Sequence, residues 1–114
     1  MPGPTTIAEG NVKNSWLLAV TLSPVSVAAN TTAEQAFTVA GLQVGDFVDV
    51  NKPSVQAGLG IVNSRVSAAN TLQIGFVNAT GSPITPTAAE TYALNVARAD
   101  NLTPSGTPLL TQIT

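Results

Sequence analysis

Apolar residues alternate with polar or small residues along most of this chain, and turn-forming residues repeatedly interrupt the alternation. The clearest example is Leu72, Ile74 and Phe76, which are separated by Gln73 and Gly75. Because side chains point to opposite faces of a β-strand in turn, this period of two predicts strands with one apolar face. Helical periodicity is nearly absent, so the sequence predicts an all-β domain of antiparallel strands.

Short segments with this pattern are separated by Pro, Gly or Asn, which mark turns. The predicted strands are residues 16–22, 34–39, 46–50, 61–66, 72–76 and 92–98. Residues 54–60 are predicted to form one short helical turn closed by Gly58. Residues 68–70 are predicted to form a tight hairpin loop, because Asn70 tolerates the left-handed backbone that such loops need. About six or seven strands fit a single antiparallel β-sandwich or barrel-like domain.

The predicted core combines the large apolar residues of several strands. We expect it to contain Leu72, Ile74, Phe76, Val48, Val50, Leu94 and Val96. Trp16 and Tyr92 each lie on an apolar strand face, so core packing is expected of them rather than a role as stacking platforms for a sugar.

The two ends of the chain differ from this middle. Residues 1–14 and 100–114 are rich in Pro, Thr, Gly and Asn and carry only isolated large apolar residues, such as Ile7, Leu109 and Leu110. Such segments cannot bury enough apolar surface to offset the conformational entropy that ordering removes. We therefore expect an N-terminal arm (1–14), a β domain (15–99) and a C-terminal arm (100–114), with both arms disordered unless a neighbour orders them.

The chain has no histidine and no cysteine, and only 9% of its residues are charged. Histidine is the side chain most often used for acid–base catalysis near neutral pH, and Cys and His dominate transition-metal sites. The composition therefore favours assembly over catalysis. We expect a protein that is not an enzyme, and we assign no catalytic, cofactor-binding or metal-ligating residue and no small-molecule substrate. A net charge of −2 provides no basic stripe for phosphates, so no nucleic-acid partner is expected.

Asp46 and Asp49 are the carboxylates closest in sequence, and they are the first candidates for a catalytic pair. An offset of three along a strand places them on opposite faces, which argues against such a pair. Asp46, beside Gly45, is expected to cap turn amides with a side-chain oxygen, and Asp49 to be solvated or to pair across strands with Arg65 or Arg98.

Two other chemistries are weakly supported. Asp46, Asp49 and Asn51 offer oxygen ligands for calcium, but the chain lacks the spacing of a calcium-binding loop. A serine nucleophile would need a general base, and no G-x-S-x-G motif is present. A lysine base, Lys13 or Lys52, remains open as an alternative.

Neither a membrane span nor a secretory signal is predicted. The longest apolar run, residues 16–20, is far shorter than the roughly 20 residues needed to cross a bilayer. The first residues show neither the basic nor the apolar region of a signal peptide. We expect no membrane partner and synthesis in a cytosol.

The surface of such a chain is unusual for a free monomer. Its mean hydropathy is +0.28, and well-behaved surfaces carry about 25–35% charged residues. Strand edges also need to be covered. We therefore expect a partner to cover part of the surface, with a homotrimer as the predicted oligomer.

The segments between Ala40 and Arg98 resemble, in their order, a small β module of tailed-bacteriophage virion proteins. The segments that carry the resemblance are residues 41–50 (GLQVGDFVDV), 57–59 (AGL), 65–74 (RVSAANTLQI), 76–81 (FVNATG) and 92–98 (YALNVAR). Proteins with this module include head-decoration (cement) proteins and head or tail fibres. The resemblance covers about half of the chain, and residues 1–34 and 99–114 lie outside it.

The resemblance implies a structural protein of a phage particle that is made in the bacterial host cytoplasm and mounted on the capsid exterior, commonly as a trimer. Its partner would be the major capsid protein, and its role would be to stabilise the capsid lattice. The small size of the chain favours a cement protein. The alternative is a head-fibre or tail-fibre module that binds a host surface glycan or protein. The family has no catalytic residues to transfer to this sequence.

Overall fold

The computed structural model describes residues 12–99, which form six antiparallel β-strands and no helix. The strands are β1 (Val12–Leu22), β2 (Thr31–Thr38), β3 (Phe47–Asn51), β4 (Leu59–Ala68), β5 (Thr71–Asn78) and β6 (Glu90–Ala99). This architecture confirms the predicted all-β class. No helix long and apolar enough to cross a bilayer occurs among the described residues.

The first strand begins earlier than the predicted domain boundary at residue 15. β1 starts at Val12, so three residues assigned to the N-terminal arm belong to a strand. Val12 pairs with Ala99, the last residue of β6. The rest of both predicted arms, residues 1–11 and 100–114, lies outside the described residues.

The strands form two three-stranded sheets, ordered β1–β6–β3 and β2–β5–β4. Both sheets contribute residues to one buried cluster, which makes the domain a β-sandwich. Among the described strands, only the connection from β4 to β5 joins neighbours within a sheet. The other connections pass from one sheet to the other, so most strand pairs join residues far apart in sequence.

The core lies between the central strands β5 and β6. Leu72, Ile74 and Phe76 are fully buried on β5, and Tyr92, Leu94 and Val96 are buried on β6. These residues and the buried Val48 confirm the predicted core, while Val50 packs against it and is only partly buried. Trp16 differs from the prediction: 37% of its surface is exposed, because it lies on the edge strand β1 and lines an open groove beside the segment that follows β2.

The predicted helical turn at residues 54–60 is wrong. Gln56–Leu59 instead forms a β-turn in which the Leu59 amide donates to the Gln56 carbonyl at 3.0 Å. Gly58 has a φ of 82°, which is the left-handed conformation that this turn position requires. A side chain there would also overlap the Thr80 methyl group. The local sequence contains good turn residues, but the close approach of Thr80 decides which turn forms.

The predicted hairpin between β4 and β5 is confirmed. Asn70 has a φ of 60°, and a β-bulge between Val66 and Ala68 adjusts the register beside it. The hairpin tip also contacts the segment that follows β2. The Asn70 side chain accepts a hydrogen bond from the Gly41 amide at 2.7 Å, and the Asn70 amide donates to the Leu42 carbonyl at 2.8 Å.

A buried asparagine fixes the long connection between β5 and β6. The Asn78 side chain is fully buried and donates to the carbonyls of Val27 and Ser82, at 3.1 and 2.8 Å. Its oxygen accepts hydrogen bonds from the amide and the hydroxyl of Thr80. All the hydrogen-bonding capacity of this side chain is therefore used inside the fold, which supports a loop that has little regular structure.

Tyr92 offers a test of the core. Its ring is fully buried, and its hydroxyl has no hydrogen-bond partner among the described residues. Burial also raises the pKa of this phenol, with a smaller contribution from the nearby Glu90 carboxylate. An unsatisfied buried hydroxyl costs roughly 1–3 kcal/mol. Tyr92→Phe, which keeps the ring, should therefore raise the free energy of unfolding by about 1 kcal/mol, as measured by urea denaturation. A loss of stability of similar size would show that the hydroxyl is satisfied.

Candidate interaction surface

The solvent-facing side of sheet β1–β6–β3 is nearly uncharged. Strand pairing places its residues in four rows across the sheet. The rows are Ser15, Ala97 and Phe47; then Leu17, Asn95 and Asp49; then Ala19, Ala93 and Asn51; and finally Thr21 and Thr91. These side chains point away from the core because they alternate with the buried residues of β6. We call this surface the β1–β6–β3 outer face.

Two large apolar side chains project from this face. Leu17 is 85% exposed and Phe47 is 65% exposed. They lie in adjacent rows on the two strands that flank β6, with the small or uncharged residues Ala97 and Asn95 between them. Asp49 is the charged residue of the four rows, and it is exposed, as expected for a solvated carboxylate. The result is a surface of apolar and amide side chains with a single charge, which a partner can cover if it supplies hydrogen bonds to the amides and to Asp49.

The outer face of sheet β2–β5–β4 is different, because it carries an ion pair. Arg65 of β4 donates two hydrogen bonds to Glu34 of β2, at 2.7 and 2.8 Å. The two side chains meet over β5 near Gly75, which lies opposite Glu34 and has no side chain to obstruct them. The Arg65 guanidinium lowers the pKa of Glu34. Covering this face would dehydrate two charges, so it is the less favourable docking surface.

A second charge cluster closes the end of the sandwich at which β6 ends. Arg98 donates through Nε and Nη2 to the two carboxylate oxygens of Asp46, each at 2.8 Å, and through Nη2 to the Gly41 carbonyl at 2.9 Å. The guanidinium also lies 4.9 Å from the centre of the Trp16 ring, within the range of a cation–π contact. Asp46 is buried and accepts a hydrogen bond from the Gln43 amide at 2.9 Å.

These contacts confirm one prediction and correct another. Asp46 caps its turn, as the sequence predicted, through the Gln43 amide. Asp49 is exposed, which is the first of its two expected states, and the alternative of a cross-strand pair is wrong: Arg98 pairs with Asp46, and Arg65 pairs with Glu34. Asp46 and Asp49 do not meet, because Asp46 faces into the end of the sandwich while Asp49 lies on the outer face. Sequence spacing could not reveal the Arg98–Asp46 pair, since its members are 52 residues apart.

Lys52 lies in a cluster that the sequence did not predict. Its ammonium nitrogen is 3.0 Å from Ser54 Oγ and 3.0 Å from Glu90 Oε1, and Ser54 Oγ donates to Glu90 Oε2 at 2.5 Å. The Lys52 ammonium is thus held by Glu90 and by the hydroxyl and carbonyl of Ser54 rather than directed into an open site. Hydrogen bonds from Ser54 and Lys52 lower the pKa of Glu90, which makes that carboxylate a weak base. The three side chains therefore connect the segment after β3 to the first residue of β6 and have a structural role.

The oxygen ligands considered for calcium are not brought together. Asp46 is engaged by Arg98, and Asp49 and Asn51 lie in separate rows of the outer face. Within residues 12–99, no three Asp, Glu, His or Cys side chains lie close enough to hold a metal ion.

The Arg98–Asp46 pair predicts a specific loss of stability in acid. Hydrogen bonds from Arg98 lower the pKa of Asp46 below its unfolded value of about 3.9. The pair therefore gives its full contribution to the free energy of unfolding at pH values above the unfolded pKa. This contribution is lost as the pH falls through the lower pKa of the folded state. Asp46→Asn should be less stable than the wild type at pH 7, and the difference should shrink as the pH falls towards 2.

Urea denaturation at several pH values measures this difference. Asp49→Asn is the matched control, because it neutralises an exposed carboxylate three residues away. We expect the control to change stability at pH 7 much less than Asp46→Asn does. Equal effects of the two substitutions, or a deficit of Asp46→Asn that does not depend on pH, would contradict the role given to the ion pair.

Searches of protein families, of curated proteins and of solved structures found no match to this chain. Its function must therefore be inferred from its own residues and their geometry.

Proposed function

We propose that this chain is a bacteriophage capsid decoration (cement) protein, which binds the outer surface of the head as a homotrimer and stabilises the capsid lattice. The observation that carries the proposal is the β1–β6–β3 outer face, whose four rows hold two exposed large apolar side chains and one charge. In this role the major capsid protein is the partner, and no reaction is catalysed.

The chemistry of the face suits adhesion. Apolar burial and hydrogen bonds between uncharged groups persist in salt that would screen surface ion pairs. Leu17 and Phe47 are the natural anchors, because a few large buried side chains supply most of the binding energy of an interface. The small residues between them allow a partner to approach the sheet closely. Such a face can hold a shell together under variable ionic conditions.

The resemblance of residues 41–98 to virion β modules supports the same role. The segments that resemble these modules lie in strands of both sheets. One of these segments, residues 41–50, contains Phe47 of the outer face. A fibre module that binds a host glycan or protein is the alternative implied by the resemblance. The two roles differ in the partner, so a binding experiment separates them.

The binding experiment uses capsids of the parent phage that lack this protein. Leu17→Glu and Phe47→Glu should each weaken co-sedimentation with these capsids by about tenfold to a hundredfold, as expected when an apolar anchor worth roughly 1.5–3 kcal/mol is lost. Val62→Glu is the matched control. Val62 is 55% exposed on β4 of the other sheet, so the same change there should leave the affinity nearly unaltered.

Three outcomes would contradict the proposal in different ways. Wild-type affinity in both outer-face variants would exclude that face as the contact. An equal loss in Val62→Glu would indicate a non-specific effect of charge. Binding of the wild-type protein to host cells, without binding to capsids, would favour the fibre module.

The oligomeric state is tested separately. Light scattering coupled to size exclusion should report three times the 11.5 kDa chain mass at micromolar concentration. A monomer under these conditions would contradict the trimer while leaving capsid binding to be decided by co-sedimentation.

A further inference from the structure

An apolar groove lies at the end of the sandwich where β1 begins and β6 ends. It has a volume of about 230 Å³, and its walls include Trp16, Leu18, Leu42, Val96 and Arg98. We call it the Trp16 groove. Strand pairing explains its position: the β1–β6 ladder continues to Val12 and Ala99, beyond the last row that β6 shares with β3.

The charge of Arg98 is neutralised at this groove. Its donors are directed to Asp46 and to the Gly41 carbonyl, and its Cζ atom lies 4.9 Å from the centre of the Trp16 ring. The groove therefore presents aromatic and aliphatic surface and a paired guanidinium rather than a free cation. Such a lining selects an uncharged apolar occupant over an anion.

We propose that Leu109 and Leu110 of the same chain occupy the Trp16 groove. β6 ends at Ala99, one residue after Arg98, so the following segment leaves the fold beside the groove. The segment from residue 101 to residue 114 has no charged side chain, and its two adjacent leucines are its longest run of large apolar residues. The occupant thus matches the groove in chemistry and starts next to it.

The connection has the length and composition needed to turn back. Leu109 lies ten positions after Ala99, and an extended chain of that length spans up to about 33 Å. Pro104, Gly106 and Pro108 lie in this connection, and such residues mark reversals of chain direction. The connecting segment can therefore return the leucines to a groove only a few residues from where it starts.

Volume and concentration favour this occupant. A cavity of about 150 Å³ accepts a benzene molecule, so a groove of about 230 Å³ has room for one leucine side chain and part of a second. A connection this short gives an effective concentration in the millimolar range. This exceeds the micromolar concentration of separate molecules, so the chain's own segment should outcompete that of a second copy. The inference does not depend on the proposed capsid role.

The single tryptophan of the chain reports on the groove. In the full-length protein, Leu109→Ser combined with Leu110→Ser should shift Trp16 emission to longer wavelength and increase its quenching by acrylamide. Leu102→Ser is the matched control, since it makes the same change in the same segment before the predicted reversal. The control should retain the wild-type emission and quenching.

Dilution distinguishes the chain's own segment from that of a neighbour. The difference between the wild type and the double variant should stay constant over a hundredfold range of protein concentration. Proton NMR contacts between the Trp16 indole and the methyl groups of Leu109 or Leu110 provide a second measurement. Unchanged emission and quenching in the double variant, the same effect in Leu102→Ser, or a difference that disappears on dilution would overturn the proposal.

Discussion

The bidentate ion pair between Arg98 and Asp46 fixes one end of this sandwich. It joins the central strand β6 to the segment between β2 and β3, and that segment is in turn hydrogen-bonded to Asn70 at the tip of the β4–β5 hairpin. One guanidinium thus adds polar contacts between parts of the chain that also meet in the core through Leu42 and Val96. Removing the Asp46 charge would leave Arg98 beside apolar groups, with a carbonyl and an aromatic ring as its remaining partners.

The few charged residues mostly pair with one another. The chain has ten Asp, Glu, Lys and Arg residues, and of the eight within residues 12–99 six form three ion pairs: Lys52–Glu90, Arg65–Glu34 and Arg98–Asp46. Two of these pairs lie at strand ends, and the third lies on the outer face of sheet β2–β5–β4. The opposite outer face is left with Asp49 alone among its four rows. The few charges are therefore concentrated away from the face that carries Leu17 and Phe47.

The two proposed contacts use different surfaces of sheet β1–β6–β3. The outer face would bind the capsid through side chains that point to solvent, whereas the Trp16 groove lies on the inward side at the end of the same strands. A strand places successive side chains on opposite faces, so Trp16 and Leu17 can serve separate contacts although they are neighbours in sequence. Loss of one contact need not remove the other.

The sequence by itself determined the strands, the core and the hairpin. Alternation is a local property, so it located Leu72, Ile74, Phe76, Leu94 and Val96 inside the fold, and the left-handed tolerance of Asn70 located the turn. The tertiary structure alone decided the partner of Arg98, the turn at Gly58 and the exposure of Trp16. Each of these depends on residues far away in the chain: Asp46 lies 52 residues from Arg98, and Thr80 comes close to Gly58 only after β5 has paired with β4. Local patterns set which face of a strand is apolar, but only the packing of the two sheets determines what meets that face.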